Sequence, residues 1–139
     1  MSREAVYETL ANSAGLNSLG IQGNRLFPNW SLEERPVPEG PFIILRWGAM
    51  DDTRWQTVKE PVRLTIWIHI PVEVSDDFSI LDNILDACDK SLRKMWDVVG
   101  ADGYTVSQVR VGGRSGDIKD NGFQTITKSG TYQVLARIT

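Results

Sequence analysis

The strongest pattern along the chain is a nine-residue alternation. Val62, Leu64, Ile66, Ile68 and Ile70 fall in one phase, and Arg63, Thr65, Trp67 and His69 fall in the other. Period-two alternation of this length predicts a β-strand with one apolar face over residues 62–70, which Pro71 ends. A second run, Phe42-Ile43-Ile44-Leu45-Arg46-Trp47, is continuously apolar and rich in β-formers. It predicts a strand buried on both faces. Further strands are predicted at 104–111, 123–127 and 131–138, with a tight turn at Ser129-Gly130 joining the last two.

Residues 77–97 predict the main helix. Phe78, Leu81, Leu85, Cys88, Leu92, Met95 and Trp96 recur at three and four residues, with Ile84 alongside. Asp82, Asp86, Asp89, Lys90, Arg93 and Lys94 occupy the other face, acids leading and bases trailing as the helix dipole favours. A shorter helix over 3–12, capped by Ser2, presents Val6 and Leu10 on one side. Residues 13–24, rich in Gly and Asn, read as loop, and Pro36, Pro38 and Pro41 keep 29–41 irregular. The expected fold class is therefore α+β: a single domain over 1–139 with a mixed or antiparallel sheet of about four to five strands. The long amphipathic helix of about 77–97 covers one face, and a short N-terminal helix accompanies it. Two polar stretches, 48–61 and 112–122, stand out as candidate mobile arms.

Composition narrows the function classes. Lys plus Arg number 15 against 18 Asp plus Glu, a formal charge of −3, which disfavours a strongly basic nucleic-acid binder. One cysteine, Cys88, excludes an internal disulfide. The N-terminal residues turn charged at once, unlike a signal peptide, and the longest apolar stretch, 64–74, is too short and too interrupted to span a bilayer.

Catalytic patterns are weak. His69 is the single histidine and reads as a strand residue facing solvent or a subunit contact. Cys88 lies on the apolar helix stripe and reads as an inert buried thiol. Asp82, Asp86 and Asp89 suit a hard cation, but with Lys90 and Arg93 on the same helix they read as a solvated face. The glycines of 112–116 lack the Gly-Lys-Ser/Thr ending of a phosphate loop. The expectation is a non-enzyme without cofactor or metal. Trp47, Trp67 and Trp96 belong to regular elements and are expected in the core or on a sheet face. Trp30 and Trp55 lie in polar stretches with Arg35 and Arg54 nearby, and they either fold back into the protein or mark an interface. The candidate interface residues are Arg54, Trp55, Trp30, Arg114 and Lys119.

The order of elements resembles the tail terminator proteins of long, non-contractile-tailed bacteriophages, especially those of actinobacteria. The resemblance rests on Tyr7-Glu8-Thr9-Leu10-Ala11, on Arg25-Leu26-Phe27-Pro28-Asn29 and on the Pro-Phe-Ile-Ile-Leu-Arg-Trp run at 41–47. It continues through the 62–70 strand, the Ile80-Leu81-Asp82 helix and a C-terminal hairpin. It implies a non-catalytic virion protein, assembled in the host cytoplasm, that forms a ring, six-fold in the relatives. The ring caps the head-proximal end of the tail tube, ends tube polymerisation and supports head–tail joining. The implied partners are further copies of the chain, the major tail tube protein and a neck or head-completion protein. DNA passes through the lumen without specific binding, and no membrane is involved. The alternative within the same particle is a head-completion or neck protein. Six copies at −3 carry −18 together, and a lumen of that sign lets DNA slide past by like-charge repulsion.

Overall fold

The computed structural model describes residues 3–21, 25–27, 40–50, 60–122 and 124–138. Within these, one curled, mixed sheet of seven strands dominates and forms a half-barrel. The strands are β1 (Leu26–Phe27), β2 (Phe42–Met50), β3 (Glu60–Pro71), β4 (Val98–Val99), β5 (Tyr104–Arg114), β6 (Ile118–Asp120) and β7 (Thr125–Ile138). Their order is β1-β2-β3-β7-β5-β4, with β6 also on β7. β1 runs parallel to β2, and every other pairing is antiparallel. The helices are α1 (Arg3–Ala11), α2 (Ala14–Ser18) and α3 (Phe78–Arg93).

This corrects the expected α+β class. Among the described residues the sheet has seven strands, not four to five, and the longest helix has 16 residues, not the 21 or so of 77–97. The helix starts where Asp77 caps it, its carboxylate accepting from the Ser79 amide at 3.0 Å and the Ser79 hydroxyl at 2.7 Å. Those hydrogen bonds hold the Asp77 carboxyl below its ordinary range. The helix stops at Arg93 because the chain must turn into β4. Asp97 takes a left-handed φ of 53°, and its amide donates to the Ser107 carbonyl. Met95 remains in the core, whereas Trp96, expected there or on the sheet, is 67% exposed.

The expected hairpin at Ser129-Gly130 is absent. β7 runs through both residues as one strand of 14, pairing with β3 from Thr125 to Ala136. β5 lies beside its second half and β6 beside its first three residues. Gly130 does not turn the chain. It lets another element approach, as glycine inside a strand often does. A Cβ there would meet Leu85 of α3 and the Tyr132 hydroxyl, each at 3.1 Å. The stretch 112–122, expected as a connector, is mostly strand: β5 extends to Arg114, and β6 occupies 118–120. Residues 13–24, expected as loop, contain α2, capped by Ser13, whose hydroxyl accepts from the Leu16 amide at 3.3 Å.

The core lies between the inner sheet face and the helices. Leu81, Ile84, Leu85, Cys88 and Leu92 of α3 meet Leu64, Ile66, Ile68 and Ile70 of β3, with Val6 and Leu10 of α1 and Leu16 of α2 closing the layer. Burying each such Leu or Ile side chain contributes about 1.5–3 kcal/mol. Phe42 to Leu45 are buried on both faces, in keeping with their unbroken apolar run.

Two adjacent glycines offer a test. A Cβ on Gly112 would sit 2.8 Å from the Thr131 carbonyl oxygen, so the backbone at the β5 bulge would have to move, whereas one on Gly113 meets nothing within 4 Å. Urea denaturation of Gly112→Ala should show a loss of about 1–3 kcal/mol. Gly113→Ala should stay within about 0.5 kcal/mol of the parent.

Candidate functional site

β5 and β7 carry Arg114, Lys128 and Tyr132 beneath the acidic side of α3. One Arg114 guanidinium nitrogen donates to Asp86 at 2.7 Å and to Asp89 at 2.6 Å. Lys128 donates to Asp82 at 2.6 Å and lies 3.4 Å from Asp117. The Tyr132 hydroxyl donates to the other Asp89 oxygen. The three aspartates expected on a solvated face are thus paired with cations from the sheet, not with Lys90 or Arg93 of their own helix. Burial opposes the Arg114 charge, but the two carboxylates outweigh it and raise its pKa. Burial, reinforced by the bond to Asp89, also raises the Tyr132 phenol.

This seam anchors the β5–β6 tip. The Ser115 amide donates to the Ser129 carbonyl at 2.9 Å, and the Ser115 hydroxyl accepts from the Ser129 amide at the same distance. Arg114, expected to contact a partner, therefore spends its charge inside the subunit. Lys119 is exposed on β6, opposite Ile126. Trp30, Arg54 and Trp55 lie outside the described residues, as does most of the 48–61 arm.

The remaining chemistry is quiet. His69 is buried, not solvent-facing: its Nδ1 lies 2.8 Å from the Thr125 hydroxyl, and its ring stacks on Phe42 with centroids 5.0 Å apart. Cys88 is buried in the core, and loss of solvation pushes its thiol up to about 12, with nearby Asp89 adding to the shift. Among the described residues no His, Cys, Asp and Glu group is placed to hold a metal ion, and no helix is long and apolar enough to cross a membrane. An open groove of about 480 Å³ over α3, between Asp86, Asp89, Lys90, Arg93 and Lys94, offers charges of both signs.

The surfaces that invite partners lie elsewhere. Trp96, Val99 and Ile138 are 67%, 64% and 72% exposed, Trp96 just before β4, Val99 in β4 and Ile138 at the end of β7. Register places the last two in neighbouring rows: Val99 pairs with Thr105 and Ile138 with Tyr104, so Val99 and Ile138 face opposite sides of the sheet. Of the three, Trp96 is the large exposed aromatic, the kind of side chain that anchors protein contacts. Helical periodicity concealed the exposure of Trp96, because it assigned that residue to the core stripe. A second surface, formed by Arg46, Arg63 and Arg110 on the outer sheet face, also escaped the sequence reading. Its residues lie far apart in the chain, and only strand register aligns them.

No protein-family model matches the chain, and no curated protein matches it in sequence.

Two measurements check the seam and the thiol. Tyr132→Phe should cost about 0.5–1.5 kcal/mol in urea, and Asp89→Ala more, because it leaves the hydroxyl and guanidinium short of an acceptor. Native Cys88 should resist a thiol reagent at neutral pH and react stoichiometrically once unfolded. The folded thiol holds its proton more tightly than the unfolded one, whose value is near 9.0. Its contribution is therefore complete below that pH, and stability falls above it toward about 12, at ~1.4 kcal/mol per pH unit.

Proposed function

We propose that the protein is a structural ring subunit that caps the head-proximal end of a phage tail tube, ends tube growth and presents a surface to the neck. The observation that carries the reading is Trp96, 67% exposed just before β4, with Val99 of β4 and Ile138 of β7 also exposed. A subunit that works by assembly needs apolar area left uncovered in the isolated chain, and tryptophan is a preferred anchor for such contacts. The sequence segments that resemble tail terminators, from Tyr7-Glu8-Thr9-Leu10-Ala11 through the 62–70 strand to the Ile80-Leu81-Asp82 helix, support a role at the tail end, whereas the C-terminal hairpin of that resemblance is the single strand β7.

The sheet edges suit this role. β4 covers β5 only at Thr105 and Val106, and β1 covers β2 only at Ile43 and Ile44. Among the described residues, both ends of the sheet order are thus strands of two residues, and most of the β5 and β2 edges has no strand beside it. A repeating head-to-tail contact closes into a ring when the rotation between copies permits.

Electron microscopy of tails assembled without the protein tests the role. Tails of uncontrolled length are the expected result, and tails of normal length would exclude it. Co-purification with the neck and not with the tail tube would move the protein to the head-completion side of the joint. Trp96→Ala should reduce tail capping at least tenfold while leaving thermal stability within about 0.5 kcal/mol, because the side chain is mostly solvated in the subunit.

A further inference from the structure

The outer face of the sheet is unequal along its length. Near the Pro71 end of β3 it is buried and holds Phe42, Ile44, His69, Thr125 and Thr127. Further along β3 and β7 comes a polar, exposed stretch, with buried Leu135 and Thr105 beyond it. Register places Arg46 beside Thr65 and Thr131, and in the next row Arg63 and Arg110 flank Gln133 from either side. All three arginines are exposed. Arg46 and Arg110 take part in none of the ion pairs formed among the described residues.

Two glycines keep this row open. A Cβ on Gly48 would lie 3.3 Å from the Arg63 Cβ, and one on Gly112 would strike the Thr131 carbonyl oxygen. Without side chains at either position, a groove of about 250 Å³ remains beside Arg63, Arg110, Thr131 and Gln133. Arginine forks on either side of an amide form a site for a carboxylate or another planar anion.

The complementary charge is on the same chain. The protein totals −3, so everything apart from these three arginines totals −6. Glu73, Asp76 and Asp77 are exposed in the turn between β3 and α3, beside the exposed Val72 and Val74. That turn follows Pro71, eight residues along β3 from Arg63, or roughly 26 Å at the rise of a strand. The subunit thus presents a basic patch near one end of its sheet and an acidic patch at the other.

We propose that the Arg46–Arg63–Arg110 face binds the Glu73–Asp76–Asp77 turn of a second copy of the chain, joining subunits head to tail. The inference deepens the ring reading and rests on it. Unlike patches at opposite ends produce a contact that each copy makes twice, once with each face, which is the heterologous geometry that closes rings. The overall negative charge keeps copies apart in other orientations, so the arginine face also fixes the register of the contact.

Sedimentation of the full chain tests this. The wild-type protein should associate at low salt and dissociate at about 0.5 M salt, where screening is short-ranged. R46E/R110E and E73K/D76K should each associate at least tenfold more weakly, and an equimolar mixture of the two should regain association. The neutral pair R46Q/R110Q, free of any new repulsion, should fall between wild type and reversal. A wild-type protein that stays monomeric at low salt, or variants that associate as well as wild type, would overturn the proposal. So would binding of a short DNA duplex that R46E/R110E abolishes, because a phosphate backbone would then be the occupant of this face. Tail length reports separately on the role in the particle: salt-sensitive association with tails of normal length in the protein's absence would retain this contact and discard the terminator reading.

Discussion

Strand β7 is the constraint on which the rest of the molecule depends. It bonds to β3 along twelve residues, to β5 along its second half and to β6 along its start. Because both its edges are taken, its backbone groups find ladder partners on either side, and the inner face stays continuous. Gly130, in the middle of that strand, removes the side chain that would hold α3 away, and Leu85 fills the space. The core of aliphatic side chains from β3 and α3 follows from that close approach.

The same closeness organises the polar seam. Once α3 lies against β7, its acidic side faces Lys128 and Tyr132 of that strand and Arg114 of β5. Partly buried carboxylates need partners, and these three residues supply them. Arg114 and Lys128 are thus paired within the subunit, whereas Arg46 and Arg110 on the outer face form no ion pair among the described residues. The interior holds the subunit together, while Trp96 and the three arginines of the outer face remain exposed.

Local pattern made much of the interior legible. The 62–70 alternation, the apolar run at 42–47 and the Leu81–Leu92 stripe all report burial through periodicities of two or 3.6, which are properties of a few consecutive residues. The inert character of Cys88 followed from its place on that stripe. What misled was punctuation. Ser129-Gly130 has the composition of a turn, yet a glycine chosen for close approach has the same composition. The glycines of 112–116 resemble a flexible connector, but Gly112 sits in a strand beside a neighbouring carbonyl. The α+β reading with four to five strands failed on such points, because short strands such as β4 and β6 hold together only through β5 and β7.

By itself, the sequence determined which residues are buried in the long elements, the absence of any disulfide and the excess of acid over base, since each depends on local order or on a count. Tertiary structure decided where α3 ends, which cations meet its aspartates, that His69 is enclosed and that three arginines from three strands share one face. The physical reason is that strand register and helix docking are set by contacts between residues far apart in the chain, such as Arg63 beside Gln133 and Asp82 against Lys128. No periodicity within one segment reports the alignment of another.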